Sequence, residues 1–265
     1  MTTILGLALG ALFLIIPLCI ANAYGVKASS KMLTVFIGML LRVGIFGGAV
    51  YLLAQSGSVL LCVLFAIVVM VFSIVATIVK ARLKTRTYLV PVATGMLVAI
   101  VLSSAILLFA NISVGSDFCL RYLLPVVAIL SGGMTEPVAK ALSAYYMGLR
   151  HNNQLYYYLI GNGATRAEAL RYLQKRALDQ VFASCIKQAM AATFFSPILM
   201  WTMLMCGVQV FDAVCWQLLL VMGVFASSIV AVAVAVIVAR RYVADGYAML
   251  KDVQARVGEN VTDYK

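Results

Sequence analysis

Polar residues are scarce along this chain, and their positions cut it into long apolar blocks near 4–23, 32–54, 59–79, 88–110, 119–148, 182–207 and 214–239. A bilayer's hydrocarbon core, about 30 Å thick, is crossed by about 20 apolar residues in helical form, so each block has the length of a span. Runs such as SSIVAVAVAVIVAR lie in blocks too long and too uniformly apolar for the period-two alternation of barrel strands. The pattern predicts an all-α polytopic membrane protein with seven transmembrane helices. The first block, MTTILGLALGALFLIIPLCIANA, has no basic lead-in and a longer apolar core than a signal peptide, although ANA resembles a cleavage site. It is read as a retained span. Residues 1–243 then form one membrane domain and 244–265 a C-terminal tail.

One connection breaks the rhythm. Between the fifth and sixth spans, about 150–180, polar residues return, and Ala167, Leu170, Leu173, Ala177 and Leu178 recur at helical spacing with Arg166, Arg171, Lys175 and Arg176 elsewhere on the wheel. Thr165 followed three residues later by Glu168 is a capping-box pattern. Gly161 and Gly163 can take the left-handed conformation that ends one helix before the next begins. The stretch therefore predicts a helix–turn–helix elbow. Two readings of it stand: an interfacial helix lying on anionic lipid, or a docking helix for a cytoplasmic partner.

Charge supplies the orientation. The net charge of +11 invites a nucleic-acid role, but sixteen of the twenty basic residues fall at 27–31, 80–86, 150–176 and 240–265. The intervening connections at 55–58, 111–118 and 208–213 hold no Lys or Arg, only Asp117 and Asp212. Such asymmetry is the positive-inside signature of an odd number of spans, with the N-terminus outside and the elbow and C-terminus cytoplasmic. The excess charge thus reports topology, and nucleic-acid binding is set aside.

Little in the sequence carries covalent chemistry. The six cysteines have no CxxC or regular spacing and read as small packing residues, and the single histidine, His151, excludes histidine-based metal or triad sites within one chain. No GxxxxGK[ST] loop is present to cradle nucleotide phosphates. An enzyme is not expected, and the chain is expected to bind no cofactor of its own.

Ionisable groups at membrane depth are expensive and mark pathways or internal pairs. Arg42 falls midway in the second span, and Glu136 and Lys140, four apart in the fifth, can neutralise each other. For these three the readings are a lined transport path or structural pairing inside the bundle. Gly132, Gly133 and Pro137 are expected to interrupt the fifth span and Pro197 the sixth, freeing backbone groups that neighbours or a wet cavity must satisfy. Met200, Met203, Met205 and Cys206 would suit a soft metal ion as cargo, against the commoner use of methionine as a gap-filler.

Read together, LLPVVAILSGG, IGNGATRAEALRYLQKRAL and FSPILMWTMLMCG resemble segments of the FetB-type ABC permease family, which includes bacterial iron exporters and plant aluminium-tolerance permeases. The most specific piece, GATRAEAL, is similar to that family's Gly-Ala-Thr-Pro-x-x-Ala segment, with Arg166 at the usual proline. The path departs further: Gly132-Gly133 replaces Gly-Asn, Ser196-Pro197-Ile198-Leu199-Met200 replaces Leu-Pro-Gly-Met-Met, Arg42 falls where a glutamine is common, and Glu136 and Lys140 lie outside the pattern.

The resemblance implies an inner-membrane permease subunit working as a homodimer with a separate ABC ATPase that carries ATP and Mg, moving a solute such as iron. On this reading coupling falls to Gly161, Gly163, Ala164, Thr165, Arg166 and Glu168, and the interruptions at Gly132, Gly133, Pro137 and Pro197 serve as hinges. The alternative is a non-transporting scaffold or regulatory subunit on the same fold. An ion-coupled secondary transporter would show internal repeats or a chain of carboxylates, and neither is evident.

Overall fold

A computed structural model describes residues 29–81, 85–109, 122–195 and 197–243. The first expected span, near 4–23, and the tail at 244–265 lie outside the described residues. The chain divides into two units, 1–58 and 59–265. In the first, the second expected span is helix α1 (Ser29–Ser56). Its apolar side chains are exposed along most of its length, and so is Arg42.

The second unit contains α2 (Val59–Lys80), α3 (Thr85–Phe109), α4 (Leu124–His151), α5 (Asn153–Gly161), α6 (Arg166–Met190), α7 (Ile198–Met205) and α8 (Val210–Val243). A π-helical turn, Ala191–Phe195, joins α6 to the break before α7. The longest helix, α8, at about 1.5 Å per residue extends about 50 Å and packs on α3, α4, α6 and α7. Its closest approach is to α3. A Cβ built on Gly95 would stand 2.5 Å from the Ala231 carbonyl oxygen and 2.8 Å from the Ala235 Cβ, so only glycine lets the two backbones meet there.

Among the described residues, five helical runs are long and apolar enough to cross a membrane: Thr34–Ser56, Val59–Lys80, Tyr88–Phe109, Ala167–Met205 and Val210–Arg240. Leu60, Val68 and Phe72 of α2 and Leu102, Ile106 and Phe109 of α3 point outward and exposed, an apolar belt that lipid satisfies. The chain is a multi-pass, all-helical membrane protein.

Two of the expected spans take other forms. The sixth begins as α6 at Arg166, runs without a break to Met190 and then breaks near Pro197, so elbow and span share one helix. The fifth, α4, is not among the five apolar runs, because Ser131, Gly132, Gly133, Thr135, Glu136 and Lys140 dilute it. It is instead an inner helix, packed against α2, α3, α6 and α8, with only a narrow stripe through Pro125, Gly132, Glu136, Lys140 and Met147 exposed.

Candidate functional site

The elbow is determined residue by residue. The Ala164 N–H donates to the Leu159 carbonyl and the Gly163 N–H to the Ile160 carbonyl, both at 3.0 Å, the paired bonds of a Schellman ending on α5. Gly163 supplies the left-handed residue that this ending needs, at φ +85°. Gly161 does not: it remains in the last turn of α5, and Asn162 caps it. The capping box at the start of α6 is formed, with the Glu168 N–H donating to Thr165 Oγ1 at 3.4 Å and the Thr165 N–H to Glu168 Oε2 at 2.8 Å.

Leu170, Leu173 and Ala177 are buried with Ala169, whereas Ala167 is exposed. Leu173 presses on α4, where a Cβ on Gly148 would meet it at 2.8 Å. This apolar face is buried in the bundle and so does not lie on lipid. The turn of the elbow is exposed, with Gly161, Asn162, Gly163 and Thr165 open and Ala164 half-buried, and so are Tyr158 of α5 and Tyr172 of α6 on either side of it.

The two prolines are handled differently. Pro137 does not interrupt α4, which is continuous from Leu124 to His151 through Gly132 and Gly133. A proline nevertheless lacks the N–H that would bond the carbonyl four residues back, that of Gly133. Gln188 of α6 replaces it, its Nε2 donating to the Gly133 oxygen at 3.0 Å. A neighbouring amide thus keeps the helix intact.

Pro197 does break the sixth span. It stands at the N-cap of α7 with φ −74° and ψ 64°, after the π turn. Buried Gln217 of α8 bridges the gap: its Nε2 donates to the Ala192 carbonyl at 3.1 Å, and its Oε1 accepts from the Met200 N–H at 3.3 Å. One side chain therefore holds both sides of the break. Neither glutamine is conspicuous in the sequence, because both are uncharged. The readable signal was an amide in an apolar span facing a proline.

Between these repairs lies a partly open cavity of about 330 Å³ lined by α4, α6, α7 and α8. Its wall is mostly apolar, with Gln188, Thr202 and Gln217 as polar exceptions, and the Gln188 Oε1 is buried without a hydrogen-bond partner. A second cavity of about 310 Å³ lies beside Tyr122, Pro125, Met203, Asp212 and Trp216. Ile129, Leu199 and Leu220 line both, forming the partition between them. Leu199 belongs to α7, just beyond the break.

The residues read as a path or metal set are not gathered at these cavities. Glu136 and Lys140 form an ion pair at 2.6 Å on the exposed stripe of α4, their side chains 62% and 53% exposed. Ser73 of α2 donates to the Ser131 carbonyl of α4, and Lys80 at the end of α2 lies within electrostatic reach of Glu136. The pair is thus level with the polar end of α2, not its middle, and water at that rim lowers the cost of exposing it. Arg42 lies on α1, in the other unit.

Met200, Met203, Met205 and Cys206 do not converge on one point. At about 100° per residue Met205 points some 140° away from Met200; Met205 is 88% exposed, Cys206 is exposed, and Met203 lines the second cavity. Among the described residues no group of three His, Cys, Asp or Glu could hold a metal.

Residues 4–243 match the model of a family described as "Uncharacterised protein family (UPF0014)". No curated protein and no solved structure matches the chain.

Proposed function

Because the chain belongs to the UPF0014 family, that of the FetB-like ABC permeases, we propose that it is the membrane subunit of an ABC transporter, working as a homodimer with a separate cytoplasmic ATPase. ATP and Mg would be held by that partner. One observation carries the reading: α6 is a single uninterrupted helix from the capped turn to the π turn before Pro197. At about 1.5 Å per residue its 25 residues make a rod of about 37 Å. Its outer tip is the exposed turn at Gly163–Thr165, and its other end carries Gln188, a wall of the inner cavity.

In this reading the ATPase grips the turn and, on binding ATP, displaces α6. The displacement strains the Gln217 bridge across the break, α7 shifts, and Leu199 leaves the partition between the cavities. Cargo then passes from one cavity to the other. The apolar walls and single unpaired amide oxygen favour a solute with an uncharged or apolar part over a bare ion such as iron.

The docking step is tested by co-purifying the ATPase with Ala164→Glu, using Gly163→Asn as a control that keeps a residue tolerant of positive φ. Loss of the ATPase with Ala164→Glu alone is expected; retention would place the docking site elsewhere. The partition is tested in proteoliposomes, where Leu199→Trp should abolish transport while leaving ATPase binding intact.

A second reading, a scaffold that transports nothing, is favoured by Glu136 and Lys140 closing on each other. Under it, no solute among metal ions, nucleotide sugars and lipids would stimulate the ATPase of the purified complex.

A further inference from the structure

At the end of the bundle that carries the elbow, α4, α6 and α8 meet in a polar knot that the transport reading does not use. Arg240 of α8 donates through Nη2 to Gln174 Oε1 of α6. That bond occupies the glutamine's carbonyl and leaves three donors open. Arg240 Nε, Gln174 Nε2 and the hydroxyl of Tyr145 on α4 are all buried without a hydrogen-bond partner. Tyr145 is fully buried, with Arg240 within electrostatic reach. Tyr146, edge-on to Tyr145 at 5.1 Å, packs on Tyr88 at 4.3 Å and closes the floor with rings.

The charge is as incomplete as the hydrogen bonding. Among the described acids, Glu136 is paired with Lys140, Glu168 belongs to the cap of α6, Asp179 is exposed on α6 about 140° around the helix from Gln174, and Asp212 lies near the opposite end of α8; among the described residues Arg240 has no ion-pair partner. A half-buried guanidinium with several buried donors around it and no carboxylate partner among the described residues is costly unless something neutralises it. Water could accept from the donors but would leave the charge. An acceptor that is itself negative answers both needs.

Arg240 and Gln174 each keep part of the residue exposed, while Tyr145 is fully buried and the three open donor atoms are covered. The level fits a phosphate. Gln188 faces Gly133 and Leu173 faces Gly148, which puts Gln174 about three turns beyond Glu136, the α4 residue within reach of Lys80. That is about 16 Å past the polar rim, on the water side of the hydrocarbon core, where lipid-borne or free phosphate is met.

We propose that Arg240, Gln174 and Tyr145 form a binding site for a phosphate oxyanion, presented by an inner-leaflet phospholipid or free in the cytosol. A guanidinium and two neutral donors suit a phosphate oxygen pair. Occupied, the site ties the elbow helix to α4 and α8. The proposal does not depend on the chain being a transporter.

The test is thermal unfolding of the purified full chain in neutral detergent, titrated in separate arms with phosphatidylglycerol and with inorganic phosphate, against chloride at equal ionic strength. The wild type should be stabilised in at least one arm: phosphatidylglycerol alone identifies a lipid source, phosphate alone a free one. Apparent affinity should fall about tenfold in Tyr145→Phe and more in Arg240→Gln, as expected for losing one hydrogen bond to a charged group and then the charge itself.

Tyr145→Phe separates binding from packing, because a purely structural tyrosine with an orphaned buried hydroxyl would become no less stable when the hydroxyl is removed. Should Arg240→Gln fail to fold, Gln174→Leu and Tyr145→Phe carry the test. No stabilisation in either arm, or equal stabilisation of wild type and variants, would overturn the proposal.

Discussion

At the residue scale the informative side chains are two glutamines that answer two prolines. Gln188 takes the Gly133 carbonyl that Pro137 cannot serve, and Gln217 joins Ala192 to Met200 across the break at Pro197. A double-mutant cycle follows from the first. Gln188→Leu should cost about 1–3 kcal/mol by leaving a buried carbonyl unpaired, and Pro137→Ala should recover about 1 kcal/mol of that loss by returning an N–H to the same oxygen. Thermal unfolding of the four proteins in detergent measures the coupling, and strictly additive losses would refute the pairing. The prolines were legible in the sequence as places where backbone groups come free. The partners were not, since which side chain reaches a free carbonyl depends on how helices distant in sequence align. The charged residues attracted the functional reading for a sound reason, the cost of charge in lipid, yet Glu136 and Lys140 satisfy each other at a polar rim.

At the scale of the element, local signals were read well and continuity was not. Thr165 and Glu168 form the capping box that their spacing predicts, because a cap is decided within four residues. The same stretch gave no sign that α6 would carry on into the sixth span, because the polar residues that marked it as a connection are equally at home on the exposed face of a long helix. Gly95 went unremarked for a related reason: nothing next to it in the chain reveals that α8 will lie against it. Gly95→Val should therefore be far more damaging than Gly132→Ala, where no atom lies within 4 Å of the added Cβ. The expected outcome is loss of folded yield or a penalty of about 3 kcal/mol or more for the first, since carbonyl and Cβ atoms at such distances force the helices apart, and a near-neutral result for the second. Size-exclusion profiles and thermal unfolding in detergent compare them.

For the whole molecule, hydropathy established the class, while the number and form of the spans needed the packing. The orientation expected from the basic residues, with 150–176 and the C-terminus cytoplasmic, is open to direct measurement. Single cysteines introduced at Ser116 and at Gln154, in a background where the native cysteines are serine, should react with a membrane-impermeant maleimide from opposite sides of the membrane in intact cells and inverted vesicles. Labelling of both from one side would reject α4 as a crossing helix, and labelling of Gln154 from outside would reject a cytoplasmic docking turn. The repair of α4 also has a consequence in time. Its Ser131 carbonyl receives a hydroxyl from α2, made earlier in synthesis, but the Gly133 carbonyl waits for Gln188, more than fifty residues further along. A nascent chain that has released α4 but not yet α6 carries an open acceptor at a proline inside the bilayer. Its biogenesis therefore has a vulnerable interval, closed only when the elbow has been threaded back, and chains truncated before Gln188 should be recognised by membrane quality control while those ending beyond it escape.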